Sequence, residues 1–351
     1  MKVLLAHNCY GSAAPSGENQ VFEDECKLLR QRGHEVSEFV RHSDTIRVKG
    51  AWGVLQGALS TPWNPFAADA IERELAESKP HVVHVHNTFP LLSPSIFSGV
   101  GVKAARVLTL HNYRLFCPAA IPMRAGKVCT ECMDRRSVWP ALQHGCYRNS
   151  RLATLPLAVN VSLHRRLGTW TNQVDAFIAL SDFQRERMIG AGLPAELVHV
   201  KPNFYPGDPV IVPWVERNQC VVFAGRLTAE KGVRALIRAW LAWGESAPEL
   251  RIVGNGELRG ELERLAAISP HVPIRFLGQL PAAAAQQEIA RARLLVLPSE
   301  WFEGFPMVVR EAFAFGTPVA VSNIGPLPSI VREDENGVVF RPADPQSLVQ
   351  K

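Results

Sequence analysis

An α/β fold with two parallel β-sheets is predicted by three observations. The chain has 351 residues, which suits two domains of about 150 to 200 residues each. Short apolar runs alternate with helical patterns in both halves, and strands that alternate with helices form parallel sheets. A proline-rich stretch without helical periodicity separates the halves. With 47% hydrophobic and 20% charged residues, the composition is that of a globular chain and argues against disorder or a fibre.

The first half begins with a strand, a loop and a helix. Residues 2–6 are an apolar run, and a loop rich in Gly, Ser and Pro follows it. Residues 18–32 then have helical periodicity, and Gly33 ends that helix. Further strands are predicted at 35–40, 81–85, 106–110 and 176–180, with helical patterns at 66–76 and 183–189.

The second half repeats this architecture after a linker. Residues 201–213 contain four prolines and one glycine, so we expect the hinge there. Domains are predicted at 1–203 and 219–351, joined by 204–218. Parallel sheets bind ligands at the carboxyl ends of their strands, so two such lobes that face each other predict a ligand cleft. The strands of the second domain are predicted at 220–224, 250–253, 274–277, 294–297 and 318–321.

The charge distribution points to an anionic surface. The formal net charge is +5, and residues 124–166 carry eight Arg or Lys against two acidic residues. That stretch also contains several leucines and a tryptophan, a mixture that suits an anionic membrane. A solvated face on a buried helix explains it equally well. No apolar run is long enough for a membrane span or a signal peptide, so we expect a cytoplasmic protein, peripheral at the inner face of the plasma membrane. Nucleic acid is not an expected partner.

The most informative segment is 298–312, PSEWFEGFPMVVREA, which follows a predicted strand. Pro306 suits the first turn of a helix, because its missing N–H is not needed there. The N–H groups around it would form an anion site. Glu303 precedes this helix and Glu311 lies inside it, so the two carboxylates could address a sugar and a ribose. A polar surface loop followed by a surface helix with an ordinary glutamate would produce the same sequence pattern.

Two other strand ends carry matching chemistry. Gly225 and Arg226 follow one strand, and Lys231 begins the next helical segment. A glycine admits close backbone approach, while an arginine fork and a lysine charge suit a diphosphate. The sequence 254–256, Gly-Asn-Gly, again places glycines directly after the next predicted strand. Each pattern alone is weak, since an exposed Arg–Lys pair is usually a solvated turn. Together they predict a nucleotide diphosphate site.

These segments resemble the ordered motifs of family 4 retaining glycosyltransferases, the glycosyl transferase group 1 type. The matching motifs are GRLTAEKG, IVGNGE, FLG, PSEWFEGFPMVVREAFAFGTPVA and NGVVF, which cover most of residues 219–340. The resemblance implies the GT-B fold, two Rossmann-like parallel-sheet domains facing across a cleft. It also implies retaining transfer of a sugar from a nucleotide diphosphate sugar, with UDP or GDP sugars favoured and no organic cofactor.

The same resemblance assigns donor contacts. It implies that Arg226 and Lys231 bind the diphosphate, Glu311 the ribose and Glu303 the transferred sugar. One departure is Ser329, where the family usually has a glutamate. The remaining donor contacts would come from Gly17, Gly225, Gly254, Asn255, Gly256, Leu277, Gly304, Phe305 and Pro306.

In the first half, the loop GSAAPSGEN at 11–19 takes the place of the family's glycine-rich loop. Ser16 stands where many members have a second glycine, so only Gly17 carries over. His111 resembles the family histidine beside the reacting sugar, and we expect it to position or polarise rather than act as a general base. A lone histidine beside a strand is more often a hydrogen-bonded structural residue. His86 and Asn87 are weaker candidates on the acceptor side.

A cysteine-rich insert is predicted at 112–148. Four thiolates suit a tetrahedral structural zinc, and buried thiols or redox-labile pairs are the alternatives. No Asp-x-Asp element follows a strand, so a catalytic metal is not expected. Family members with the same HNYRLFCP and CxxC pattern resemble polysaccharide-assembly enzymes, which implies a glycan or polyprenyl-linked acceptor. The four cysteines are Cys117, Cys129, Cys132 and Cys146.

Other classes fit the sequence less well. A nucleotide-sugar epimerase would share the fold, but its motif order is missing. A non-catalytic nucleotide-sugar-binding module would not need all of Arg226, Lys231, Glu303 and Glu311. A hydride-transferring enzyme would have GxGxxG after its first strand, where this chain has GSAAPSGEN. Family members usually continue through further helices, so we expect a second domain shortened at its C-terminus.

Overall fold

A computed structural model describes residues 1–11 and 16–351, which form two compact units. The first unit contains Met1–Pro122 and Thr130–Pro202, and the second contains Met123–Cys129 and Asn203–Lys351. Each unit is built on a six-stranded sheet in which all paired strands run parallel. The predicted α/β fold with two parallel sheets is therefore confirmed.

The sheet of the first unit has the strand order β2-β1-β3-β4-β7-β8. Its strands are β1 (Lys2–Cys9), β2 (Glu35–His42), β3 (Val82–Asn87), β4 (Ala105–Thr109), β7 (Ala176–Ala179) and β8 (Val198–Val200). A short antiparallel pair, β5 (Met123–Arg124) and β6 (Lys127–Val128), lies within the second unit's residues.

Ten α-helices accompany this sheet in the described part of the chain, and several cap their own N-termini. Ser150 and Ser181, for example, accept hydrogen bonds from the backbone N–H groups of Ala153 and Gln184. The helices are α1 (Gly17–Gln31), α2 (Asp44–Val48), α3 (Gly50–Ser60), α4 (Pro65–Ser78), α5 (Ile96–Val100), α6 (Glu131–Asp134), α7 (Trp139–His144), α8 (Arg151–Arg166), α9 (Thr169–Asn172) and α10 (Asp182–Ala191).

The sheet of the second unit has the order β11-β10-β9-β12-β13-β14. Its strands are β9 (Asn218–Ala224), β10 (Glu249–Val253), β11 (Ile274–Gly278), β12 (Ala292–Leu297), β13 (Val319–Ser322) and β14 (Gly337–Phe340). Its helices are α11 (Val233–Trp243), α12 (Arg259–Ala266), α13 (Ala282–Arg291), α14 (Met307–Ala314), α15 (Leu327–Ile330) and α16 (Pro345–Gln350).

Apolar residues on both faces of each central strand produce the core of the second unit. Along β9, Val221 and Phe223 pack with α11, whereas Cys220 and Val222 pack in a separate cluster with α13 and α14. Successive residues of a strand point to opposite faces. Continuous apolar runs are therefore what a sheet covered on both faces requires, and this explains why these strands were predictable.

Two strands of the six-stranded sheets were not predicted, and neither were the two-residue strands β5 and β6. β8 and β14 have three and four residues, and only one residue of each is buried. Both lie at the edge of their sheets. No helix in the described ranges is both long and apolar enough to cross a membrane.

Gln184 fixes the ends of two neighbouring strands in the first unit. It is fully buried, its Oε1 accepts from the N–H of Leu180 at 2.8 Å, and its Nε2 donates to the carbonyl of Leu110 at 2.8 Å. These two backbone groups follow β7 and β4. The side chain thus sets the path of the chain immediately before His111.

We expect Gln184→Leu to destabilise the protein by about 2 to 5 kcal/mol, because it leaves two buried backbone groups without partners, each worth about 1 to 3 kcal/mol. Urea unfolding followed by tryptophan fluorescence measures this. The control is Gln31→Leu, an exposed position at the end of α1, which should change stability by no more than about 0.5 kcal/mol. Equal stability of the two variants would contradict the role of Gln184.

Candidate functional site

The candidate site of the second unit lies where the strand order reverses. From β9 the chain proceeds to β10 on one side, whereas β12 leads to β13 on the other. In open α/β sheets, ligands bind at such a switch point, outside the carboxyl ends of the strands. Gly225 and Lys231 follow β9, and Glu303 follows β12. The structure therefore brings these predicted residues to the same edge of the sheet.

Glycines let the loops after β9 and β10 pack directly on each other. The N–H of Gly225 donates to the carbonyl of Val253, and that of Leu227 to Asn255, both at 3.0 Å. A Cβ on Gly254, whose φ is +134°, would lie 1.9 Å from the carbonyl oxygen of Gly225. A Cβ on Gly256 would lie 2.4 Å from that of Leu227. Only glycine fits either position.

A compact charged cluster lies next to these loops. The Nζ of Lys231 is 2.7 Å from Oε1 of Glu303, and the hydroxyl of Ser299 donates to the same oxygen at 2.6 Å. The side chain of Lys231 is 16% exposed and that of Glu303 6%. Lys231 also lies 5.5 Å from the centre of the Trp301 ring. Lys231 and Ser299 thus both hold the same oxygen of a largely buried carboxylate.

The backbone path brings Lys231 to Glu303. Gly232 has φ of +68°, and a Cβ there would lie 1.9 Å from the carbonyl oxygen of Pro298. The N–H of Glu300 donates to the carbonyl of Glu230 at 2.9 Å. The loop after β9 therefore packs on the loop after β12 without a side chain between them.

The helix that was predicted after Glu303 is α14. It begins at Met307, and Pro306 is its extended N-cap residue with φ −65° and ψ 128°, so Pro306 lies just before the first turn. Glu311 accepts from Nε2 of Gln286 at 3.1 Å and lies 3.5 Å from Nη2 of Arg310. The eight-residue spacing thus places Glu303 before the helix and Glu311 within it.

Arg226 has a different environment. Its side chain is 54% exposed, and its Nη2 lies 3.2 Å from Oε1 of Glu230. Ion pairs of this kind stabilise a fold only slightly. The guanidinium is accordingly accessible to a ligand at the carboxyl edge of β9.

Three neighbours of the site were not predicted from the sequence. Ser299 directly follows β12, and a hydroxyl beside a strand end is a signal that could have been read. Gln286 comes from α13, and no local pattern connects it with Glu311. Arg310 is buried and donates through Nη1 to the carbonyl of Phe204, while the Nδ2 of Asn203 donates to Phe305 at 3.0 Å.

In the first unit, the predicted histidine belongs to a buried cluster. His86 Nδ1 and His111 Nε2 are 3.0 Å apart. Glu25, from α1, lies 3.3 Å from His84 Nδ1 and 3.8 Å from His86 Nε2. Lys201 lies 3.1 Å from the same carboxylate. Sequence reasoning found the histidines but neither of these charged partners.

Burial determines the protonation of this cluster. His7 adjoins the cluster, with its ring centre 6.2 Å from that of His86. Burial lowers the pKa of His7 to about 4 and that of His111 to about 3, and it lowers the pKa of His86 as well. Burial alone would raise the pKa of Glu25, but His84 and Lys201 outweigh it and bring the value to about 2. At neutral pH the imidazoles of His7, His86 and His111 are therefore uncharged, and the Glu25 carboxylate is ionised.

Glu25, His84 and His86 are also the one group in the described residues whose potential ligand atoms meet within 4.8 Å. His84 Nε2 and Thr109 Oγ1 are 2.7 Å apart, a contact of the type that orients a metal-binding imidazole. Lys201, however, already compensates the carboxylate. A cation would therefore have to compete with this ammonium group.

The four cysteines of the insert are thiols. Burial raises the pKa of Cys117 to about 12, and the neighbouring Cys132 and Cys146 contribute to the rise. Cys129 belongs to the residues of the second unit. A structural zinc at these cysteines stays a prediction.

The predicted glycine-rich loop is described only in part. Residues 12–15 lie outside the described residues, and Gly17 is the first residue of α1, after Ser16 in an extended conformation. Asn112 donates to Oε1 of Glu18 at 2.9 Å. The chain after β4 therefore contacts the start of α1, next to Gly17.

Two Rossmann-like parallel sheets, one with a charged site at its switch point, define the GT-B class of fold. Residues 15–206, more than half of the chain, match the family model described as Glycosyltransferase Family 4, and residues 218–351 match that of Glycosyl transferases group 1. The chain belongs to this glycosyltransferase family.

Curated relatives resemble the chain over different lengths. A sulfoquinovosyl transferase of Arabidopsis thaliana is 24% identical over 359 residues, covering 96% of this chain and 63% of that protein. A lipopolysaccharide 1,6-galactosyltransferase of Salmonella typhimurium is 30% identical over 191 residues, covering 51% of this chain and 52% of that protein. An uncharacterised glycosyltransferase of Methanocaldococcus jannaschii is 36% identical over 133 residues, covering 37% and 34%. The chain thus spans 34% to 63% of the length of these relatives.

Solved structures share the fold. Anabaena HepE in complex with UDP has a TM-score of 0.67 and 20% identity, covering 100% of this chain and 88% of that chain. The lipopolysaccharide outer core galactosyltransferase WaaB has a TM-score of 0.60 and 16% identity, and the match covers 100% of this chain and 88% of that chain.

The histidine cluster makes stability depend on pH. A histidine with a lowered folded pKa stabilises the fold fully above its unfolded pKa, about 6.5, and loses that contribution as pH falls. Because of His7, the free energy of unfolding should therefore fall by about 2 kcal/mol as the pH falls from about 7 to 5. Glu25, whose folded pKa is also lowered, loses its contribution only below about pH 4.5, outside this window.

We expect His7→Gln to reduce the loss of unfolding free energy between pH 7 and pH 5, as measured by urea titration at both values. His199, an exposed histidine of β8, supplies the control, and His199→Gln should leave the loss unchanged. An identical pH dependence in His7→Gln and the unaltered protein would show that His7 is not held neutral.

Proposed function

We propose that the protein transfers a sugar from a nucleotide diphosphate sugar with retention of its anomeric configuration. The observation that carries this proposal is the cluster of Lys231, Glu303 and Ser299 at the switch point of the second unit. The neighbouring loops pack closely at positions where only glycine fits. Lys231 supplies a charge for a phosphate, and Glu303 supplies a carboxylate for sugar hydroxyls.

In this proposal the donor is held mainly by the second unit. Arg226 and Lys231 bind the diphosphate, and Glu311 accepts from the ribose diol. The N–H groups of Gly304, Phe305 and Met307 precede or begin α14 and add favourable dipoles for the phosphates. The base lies against the loop at 254–256 and Leu277. A UDP sugar is supported by HepE, which shares the fold and was solved with UDP.

Electrostatic stabilisation of the leaving diphosphate would provide most of the rate. Lys231 and Arg226 neutralise the charge that develops when the bond between sugar and phosphate stretches. The acceptor hydroxyl then attacks from the face that the diphosphate leaves, and no covalent intermediate with the protein is required.

His111 acts as a positioning group in this scheme. Burial lowers its pKa to about 3, so its imidazole is neutral near pH 7 and can exchange hydrogen bonds with a substrate hydroxyl. Its partner His86 is 3.0 Å away and restricts its orientation. This agrees with a polarising role and makes general-acid catalysis by His111 unfavourable.

We further propose a glycan or polyprenyl-linked acceptor and a role in surface polysaccharide assembly. The relatives that support it include lipopolysaccharide galactosyltransferases and a phosphatidyl-myo-inositol mannosyltransferase of Mycobacterium tuberculosis.

Donor binding tests the site directly. Arg226→Ala should weaken the affinity for UDP or GDP about 10- to 100-fold, since a hydrogen bond from a charged group contributes about 1.5 to 3 kcal/mol. Calorimetry measures the affinity. Arg238→Ala removes an exposed arginine on the outer surface of α11 and should leave it unchanged. Unaltered binding by Arg226→Ala would refute the assignment of the diphosphate.

The two glutamates should differ in their kinetic signatures. Glu311, on the ribose, holds the donor equally in the ground and transition states, so Glu311→Gln should chiefly raise the donor KM. Glu303→Gln should chiefly lower kcat, by about 100-fold, because its contact strengthens as the sugar–phosphate bond stretches. Steady-state kinetics of donor turnover distinguish the two patterns.

The control for both is Glu245→Gln, an exposed glutamate 76% accessible at its side chain, which should turn over normally. Formation of an epimer from the donor alone would instead indicate epimerase chemistry. The same kinetic pattern in Glu303→Gln and Glu311→Gln would exclude the proposed division of roles.

A further inference from the structure

Helix α3 of the first unit exposes its large apolar side chains and buries two of its three glycines, Gly53 and Gly57. Trp52 is 78% exposed, Val54 62% and Leu59 69%. On the opposite side, a Cβ on Gly53 would lie 2.0 Å from the carbonyl oxygen of Ile46. A helix packed by an apolar core would have the reverse arrangement. The 11 residues of α3 include no charged side chain.

The apolar surface continues onto α8. Its residues Leu152, Leu155 and Val159, at spacings of three and four, are exposed along one stripe. Nδ2 of Asn160 donates to the carbonyl of Thr61 at 2.5 Å, which joins α8 to the end of α3. We call this surface the α3–α8 face, defined by Trp52, Leu55, Leu59, Leu152, Leu155 and Val159.

The charge around this face is mainly positive. Residues 45–68 and 135–174, which contain both helices, include eight Arg or Lys and no Asp or Glu, and the nearest acidic residues in sequence are Asp44, Asp69, Asp134 and Asp175, just beyond the ends of these ranges. Arg47 and Lys49 lie just before α3, and Arg151 and Arg166 are the first and last residues of α8; all four are exposed. An apolar surface bordered mainly by cations is complementary to an anionic lipid headgroup layer above acyl chains.

We propose that the α3–α8 face docks onto the surface of an anionic bilayer. Trp52, Leu55 and Leu59 enter the boundary between headgroups and acyl chains, and the flanking cations contact the headgroups. The basic stretch recognised in the sequence, 124–166, supplies only the α8 part of this face. The inference does not depend on glycosyl transfer, although a bilayer surface is where a lipid-linked acceptor is found.

Vesicle binding tests the proposal. The protein should sediment with vesicles of phosphatidylcholine and phosphatidylglycerol and much less with phosphatidylcholine alone, and salt should weaken binding. The triple variant Trp52→Ser, Leu55→Ser, Leu59→Ser should lose about tenfold or more of its partition coefficient. Arg47→Gln and Lys49→Gln should each lower it about fivefold.

The matched control changes three exposed apolar residues of the second unit. Val210→Ser, Ile211→Ser and Val215→Ser together remove side chains that are 81%, 63% and 86% exposed, and the partition coefficient should not change. Circular dichroism checks that each variant is folded. Brominated lipid should quench part of the tryptophan emission, and Trp52→Phe should remove that part.

Several outcomes would overturn the proposal. Equal binding to neutral and anionic vesicles, or an unchanged partition coefficient in the triple variant, excludes it. If sedimentation velocity without lipid shows a dimer that the triple variant dissociates, the face joins two copies of the chain instead. Failure of nucleotide binding would refute the proposed function and leave this inference untouched.

Discussion

The contact between Lys231 and Glu303 is the interaction on which the site of the second unit depends. Both side chains are mostly buried, and removing either would leave the other charge uncompensated in a place where water reaches it poorly. The pair forms because the loops after β9 and β12 meet at the switch point, where Gly232 touches Pro298. The carboxylate is therefore oriented before any ligand arrives. Such preorganisation is what electrostatic catalysis requires.

The arrangement of strands was largely predictable because the central strands are apolar on both faces. β9, β10 and β12 were recognised as continuous apolar runs, and Arg226, Lys231 and Glu303 could be placed at their carboxyl ends. The short edge strands β8 and β14 were missed. Edge strands have fewer neighbours, so fewer of their residues must be apolar, and brief segments show no period.

Contacts between elements that are distant in the sequence were not predictable. Gln286 of α13 reaches Glu311 of α14 across 25 positions of sequence, and Glu25 of α1 reaches His84 of β3. In both cases the helix carries other polar residues that fit a surface equally well. Only the packed structure selects one of them. The sequence placed histidines at the ends of β3 and β4. It did not indicate the compensating charges of Glu25 and Lys201, which reach the histidines only through tertiary packing.

The glycine contacts between the loops also limit how such a site can diversify. Gly232, Gly254 and Gly256 touch backbone atoms of the neighbouring loop, so a side chain at any of them would push two strands' ends apart at once. Variation in ligand preference must therefore come from residues between them, such as the exposed Asn255. A mutant library built for new donors would gain most by randomising those intervening positions and keeping the glycines constant.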